Sequence, residues 1–461
     1  MVLGAVDPSV TARAGVVLVA EVERALGVCA AIDEAVGPIR SRAGLSAGEL
    51  LFAAAEVMLT GGDFMVDLDH ARADQAAARL RAVPTPAACT FGQLARRFDD
   101  DRIAKVEAAV GVLVGRWWNV LAPARRDVLA AERPTVDLDT TDIEVYGRHK
   151  EGVAYNYQGQ LCGRAHLATW AEAGVALAGQ LGSGIDDPRP EAADVLARAL
   201  AVLPEGLPRP IARADSGYHD AKIARAAVGL GCDFAFAVKR NPAVWAAGLA
   251  VPGAGWEPAK DMAGAEVAEC GYQPAGWPEG TRCIVRRVAV TGPMPTRRSR
   301  RRRTIPPAQL LLGLLGLGPA WAYSFILTNL AGDPVEVEAW FRQRARIEER
   351  IKDTKLGMPL RHLPSGRYDV NRVWLWAAVL ALNLSAFAQT LADVDVHPAD
   401  PAQHRKAHGK RLRRQLICAV ARIVAHARQT IIRPAPATLA GPFPTAFANL
   451  QALPNWHARP S

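Results

Sequence analysis

The chain has 461 residues, half of them hydrophobic, with Lys and Arg exceeding Asp and Glu by 55 to 46 for a net charge of +9. A sizeable core can be buried, and the length leaves room for roughly two to four domains. Seven scattered cysteines, with no CxxC and no pairing with His at zinc spacing, argue for a reduced, cytoplasmic protein without structural zinc.

Up to about residue 130 the pattern is helical. "SAGE" (Ser46 to Glu49) is a capping box that opens a helix through "LLFAAAEVMLT", and Gly61 and Gly62 stop it. "VPTPAACT" is a Pro-punctuated turn before "FGQLARRF", a short helix that exposes Arg96 and Arg97. The N-terminus has no basic stretch followed by an apolar run, so no signal peptide is expected. Small helices edged with arginine suit a DNA-binding module and equally suit any helical bundle.

From Pro134 the texture changes. "TVDLDTTDIEVYG" is β-rich, "AHLATWA" and "GVALAGQLGSG" form a hairpin around Glu172–Ala173–Gly174, and "PIARADSGYHD" holds another strand. A helix ("DAKIARAAVGLG") and a strand ("DFAFAVK") follow, so this unit is α/β with a mixed sheet. Residues from about 250 to 332 switch to Gly/Pro-broken strands such as "RCIVRRVAV" and "WAYSFILTNL". They also carry "RRSRRRR" (Arg297 to Arg303), with Arg300 and Arg301 in its middle. A second basic run, "HRKAHGKRLRR", spans His404 to Arg414. Such clusters fit a polyanion partner, or solvated loops. Val373 to Ala392 is uncharged and about a membrane span in length, but it contains Asn383, Ser385 and Gln389. It reads as a buried core helix, and no membrane association is expected.

Three acidic residues stand where chemistry is commonly mounted. Asp139 lies near the end of the first strand; Val136 and Leu138 point to one face, Asp137 and Asp139 to the other. Asp215 ends an apolar strand before Gly217, where a turn or cap role is the alternative. Glu348 lies in "WFRQRARIEERIKDTK" (Trp340 to Lys355), a charged stretch without Gly or Pro that reads as a helix. A solvated helix laced with pairs such as Glu348 to Lys352 is one reading. However, Phe341, Arg344, Glu348 and Lys355 fall within an arc of about 60°, on one face, and Glu349 leaves that stripe. That face suits a metal-holding glutamate flanked by cations that grip phosphate.

Aromatic-x2-Arg-x3-Glu-x6-Lys resembles the Y-R-E-K signature of bacterial insertion-sequence DDE transposases, with Phe341 in place of the signature's tyrosine. "DLDTTDIEVYGRHKEGVAYNY" is similar to their first-aspartate strand and "RADSGYHD" to their second. "LTGGDFMVDLDHARAD" with "VPTPAACTFGQLARRF" resembles the N-terminal region of insertion-sequence group 1380, and "RLRRQLICAVARIVAHAR" that group's C-terminal helix.

The resemblance implies an α/β ribonuclease H-like catalytic core with a β-rich insertion, a helical N-terminal DNA-binding region and a helical C-terminal tail. The boundaries expected are 1–130 for the DNA-binding region, 131–250 and 333–395 for the two parts of the core, 251–332 for the insertion and 396–461 for the basic tail. Asp139, Asp215 and Glu348 would form the catalytic and metal-binding triad, with Asp137 the rival to Asp139; the Asp-Thr pattern favours Asp139. Arg344, Lys355 and Phe341 would contact DNA, joined by Arg96, Arg97, Arg300 and Arg301. Converging carboxylates need neutralising cations, and oxygen ligands suit two Mg²⁺, with Mn²⁺ able to substitute. The partners implied are double-stranded DNA, both transposon ends and target, and a second copy of the chain in a synaptic homodimer. The alternatives are a DNA-binding relic or regulator without activity and a stand-alone metal-dependent nuclease.

Overall fold

The computed structural model describes residues 1, 5–39, 44–291, 294–295, 299–315, 320–343, 360, 362–394 and 409–458. The N-terminal part is helical after a two-residue strand, β1 (Val10–Thr11). Its helices are α1 (Val16–Leu26), α2 (Val28–Val36), α3 (Ala47–Leu59), α4 (Val66–Ala73), α5 (Gln75–Ala78), α6 (Ala88–Ala95), α7 (Asp100–Val120) and α8 (Pro123–Ala131). The expected capping box is present: the Ser46 hydroxyl accepts from the Glu49 amide at 3.2 Å, and the Ser46 amide donates to the Glu49 carboxylate at 2.7 Å. In α7, Asp99 caps the first turn by accepting from the Arg102 amide at 2.9 Å. Asp100 and Asp101 then sit at the positive end of the helix dipole.

The sheet follows. Its strands are β2 (Thr135–Glu144), β3 (Ala154–Tyr155), β4 (Leu161–Trp170), β5 (Val175–Ser183), β6 (Ile211–Ala214), β7 (Asp233–Ala237), β8 (Glu257–Pro258), β9 (Ala265–Cys270), β10 (Arg282–Ala289) and β11 (Trp321–Thr328). Helices α9 (Arg189–Leu200), α10 (Ala221–Gly229), α11 (Pro242–Leu249) and α12 (Pro307–Leu314) lie between them. Among the described residues these strands make one ten-stranded sheet in the order β3-β4-β2-β6-β7-β11-β10-β9-β8, with β5 on the far side of β4. β2, β6 and β7 run parallel, and every other pairing is antiparallel. The strands of the expected insertion therefore extend the sheet of β2, β6 and β7 from its β7 edge.

α13 (Pro334–Arg342) covers one face of that extension, and α14 (Tyr368–Ala392) is the central helix. Every residue in the most apolar stretch of α14 is buried inside the protein, as expected for a core helix. Two of its buried polar side chains reach neighbouring elements. Asn383 accepts from the Ala176 amide at 2.7 Å and donates to the Ala176 carbonyl at 3.0 Å, satisfying the open side of edge strand β5. Thr390 accepts from the Trp117 indole of α7 at 2.8 Å. These contacts join the N-terminal helices, the sheet and α14 in one core.

The C-terminal region corrects the expectation of a helical tail. A short helix, α15 (Gly409–Leu412), continues as one wider turn to Ile417, and the chain then enters strands β12 (Ala421–His426) and β13 (Gln429–Pro434). With β1 they form a three-stranded antiparallel sheet. The β-branched Ile423 pairs with Ile432 and Val424 with Ile431 across the hairpin, while Arg422 and Ala421 pair with β1, so strand pairing outweighs the helical look of the sequence. Helices α16 (Pro436–Leu439) and α17 (Phe443–Gln451) complete the described chain.

Asn383→Leu should remove both side-chain bonds and leave the buried Ala176 amide and carbonyl unsatisfied. The expected loss is about 2–4 kcal/mol, read by chemical denaturation. An unchanged midpoint would show that β5 does not depend on this cap.

Candidate active site

Odd-numbered residues of β2 (Thr135, Asp137, Asp139, Thr141) face one side of the sheet, while Val136 and Leu138 point into the main core. The parallel register sets Asp137 beside Arg213 and Leu138 beside Ala214. The next step along each strand brings Asp139 and Asp215 to the same level, at the carboxyl end of β6.

Burial separates Asp137 from Asp139. Asp137 is 1 % exposed, and both its oxygens accept from Arg213, at 2.6 and 2.8 Å. Arg213 also donates to the Trp340 carbonyl at 3.0 Å and lies over the Trp340 ring at 4.9 Å. Its charge is consumed in holding β2, β6 and α13 together. Asp139 is half-buried, with Oδ1 accepting from the Thr140 amide at 2.8 Å. Asp215 is also half-buried and accepts from the Gly217 amide at 2.7 Å. A Cβ on Gly217 would lie 2.8 Å from the Asp215 oxygen, so glycine here gives the carboxylate its room.

On the opposite side of the sheet, behind the carboxylates, His166 packs against Tyr218 at 5.3 Å between ring centroids. Burial, with the Arg198 charge adding, pushes the imidazole down to about 4, so it is neutral near pH 7. His219, four residues past Asp215, is likewise pushed down, chiefly by burial.

Glu348, Arg344 and Lys355 lie outside the described residues. The chain on either side of them is anchored on the face that carries Asp139. Before them, α13 ends at Arg342 with Trp340 on Arg213. After them, Leu363 packs against Gly163, the β4 residue that pairs with Ile143. The Lys150 ammonium fixes that return by donating to the Leu363 carbonyl at 2.5 Å and the Ser365 carbonyl at 3.0 Å. Phe341 is half-buried against the sheet extension. Glu338, also on α13, is buried between Arg286 (2.7 Å) and Arg342 (2.8 Å) and so is structural.

Arg96 and Arg97 are exposed, but Arg97 also donates to the Ile39 carbonyl. Arg300 and Arg301 lie in a short 3-10 turn, and nothing is described of their side chains. Sequence reading missed Arg213, although a cation inside the apolar strand "IARAD" demands a carboxylate on a neighbouring strand. The carboxylates of Asp139, within β2, and of Asp215, just past β6, are hard oxygen donors of the kind that suit a divalent cation. Among the described residues no third acidic, His or Cys side chain completes a metal cluster.

The family model for the transposase DDE domain, group 1, matches residues 7–455. The chain belongs to that family. No curated protein matches it. Among solved structures it is similar to a piggyBac transposase synaptic complex with hairpin DNA, with 9% identity over 87% of this chain and 79% of that one and a TM-score of 0.44. This transposase carries one half-buried aspartate, Asp139, within β2 and another, Asp215, just past the end of the neighbouring parallel strand β6.

Asp137→Asn should leave Arg213 buried without its counter-charge and cost about 3–5 kcal/mol in denaturant unfolding. Asp139→Asn should cost less than about 1 kcal/mol, because that position is half-exposed whereas Asp137 is buried against Arg213. Equal losses would mean that both aspartates are structural.

Proposed function

We propose that this transposase binds the terminal inverted repeats of its element, hydrolyses a phosphodiester at each end and joins the freed 3′-hydroxyl to target DNA. In this reading Asp139, Asp215 and Glu348 are the catalytic carboxylates. The observation that supports it most is the placement of Asp139 and Asp215 one residue beyond the paired Leu138 and Ala214 of adjacent parallel strands, in a chain of the DDE family. The anchoring of the chain before and after Glu348 on that same face adds support.

The three carboxylates would hold two Mg²⁺, which supply charge neutralisation at the phosphate and activation of the attacking oxygen when bound. The protein's own contribution is geometric and electrostatic. Asp139 is fixed by the Thr140 amide and by the pairing of β2 with β4, and Asp215 by the Gly217 amide. Both are therefore preorganised before DNA arrives. Arg213, spent on Asp137, holds α13 in place without adding its charge to the neighbouring carboxylates. Arg344 and Lys355 would grip the backbone of the end, and Phe341 would pack beside them without the hydroxyl contact of a tyrosine. The group 1380 assignment, and a homodimer that brings two ends together, belong to this same reading.

The test is cleavage of a plasmid carrying both sequences that flank the gene, incubated with Mg²⁺ and the purified protein. Breaks should map to the element boundary with the wild type and vanish in Glu348→Gln, Asp139→Asn and Asp215→Asn, while binding to the ends persists. Glu349→Gln should retain most cleavage. Binding without cleavage by the wild type would indicate a regulator or relic, and breaks without regard to the ends a general nuclease. Lys355→Ala should weaken end binding and lower the slope of log affinity against log salt by about one unit; an unchanged slope would make Lys355 ordinary surface charge.

A further inference from the structure

We infer that the C-terminal hairpin β12–β13 is a β-ribbon that enters the major groove of the transposon-end duplex and reads bases there. The inference rests on DNA being the substrate and assigns a surface outside the carboxylate site.

The two faces of the ribbon differ. Ile423 is buried and Ile432 packs on the core, so that face is fixed to the body of the protein. The opposite face presents three cross-strand pairs, Arg422 with Arg433, Val424 with Ile431 and His426 with Gln429. Arg422 and Arg433 are directly opposed and both exposed. Like charges in that position cost stability. Asp7 offsets Arg422 at 2.8 Å, but the pair still presents a net positive charge. Ala427 and Arg428 make the two-residue tip with φ of 48° and 66°, so an arginine rather than glycine or asparagine occupies a left-handed position at the exposed end. No Asp or Glu occurs anywhere from Pro401 to Ser461. An isolated ribbon gains nothing from opposed arginines with a single acidic partner, Asp7, between them and a strained arginine at its tip; a polyanion supplies a further partner.

The chemistry favours groove reading over backbone binding alone. The major groove, about 12 Å wide, admits a two-stranded ribbon. Gln429 offers the paired donor and acceptor that suit an adenine edge, Arg428 the paired donors that suit the two acceptors of guanine, and Val424 and Ile431 apolar contact for a thymine methyl. Arg422 and Arg433, further from the tip, are placed for the flanking phosphates.

The test measures, without divalent metal, the affinity of the full-length protein for a duplex carrying the gene-flanking end and for a scrambled duplex. The triple variant Arg428→Gly, Gln429→Ala, Arg433→Ala is compared with the wild type. The expected result is a loss of about tenfold or more on the end sequence and a smaller loss on the scrambled one, so that the preference between them shrinks. Arg433→Ala alone should keep or raise the unfolding midpoint, since it relieves a like-charge pair; a purely structural arginine would lower it. Equal losses on both duplexes would replace groove reading by backbone contact and overturn the inference. A triple variant that keeps the wild-type preference would overturn it while leaving the transposase reading intact. A wild type with no preference for the end would overturn the end-binding reading and this inference together.

Discussion

The ion pair between Asp137 and Arg213 is the constraint on which the active-site side of the sheet depends. Both members are nearly inaccessible, and the geometry is bidentate, which is what a buried pair needs to offset its desolvation. The pair locks the register of β2 against β6, which brings Asp139 and Asp215 level with each other. Through the Trp340 carbonyl and ring, the same guanidinium holds α13, the last described helix before Glu348. One arginine thus links three elements that are far apart in sequence.

Much of this was legible in the chain itself. The alternation Val136–Asp137–Leu138–Asp139 gave the facing of β2, and apolar "PIARA" before Asp215 gave a strand with a carboxylate at its end. Asn383 within an otherwise apolar helix marked a core helix with a polar task, now identified as closing the edge of β5. The rest depended on tertiary partners. Whether Asp137 or Asp139 is the accessible carboxylate turned on Arg213, more than seventy residues away. That β9, β10 and β11 extend the catalytic sheet turned on β11 pairing with β7.

The C-terminal hairpin shows the limit most clearly. "RLRRQLICAVARIVAHAR" carries apolar residues at helix-like intervals, and the short helix at its start obeys them. Beyond Cys418 the partner strands are β13 and the two residues of β1 at the other end of the chain. β1 lies some four hundred residues away, and the hairpin tip is Ala427–Arg428 rather than the Gly or Asn that marks a two-residue turn, so little in the local sequence separates this hairpin from a helix.

The arginines carry the same lesson into function. Composition counts them as a basic excess, yet the structure divides them by what they face. Arg213 is spent on Asp137, Arg286 on Glu338, and Arg413 on the Met58 and Leu59 carbonyls at the end of α3. Arg287 lies over the Trp256 and Trp321 rings at 4.0 and 4.4 Å and pairs with Glu266. A guanidinium committed in this way has little left to offer a phosphate, because leaving its partner would expose a buried carboxylate or carbonyl. Arginine content alone is therefore a poor guide to which side chains are left to meet a phosphate. Arginines opposed to one another on an exposed ribbon are a better one, because their mutual repulsion falls when an anion arrives. Binding and folding then favour different side chains at those positions, and that is the physical difference between an arginine kept for the fold and one kept for the substrate.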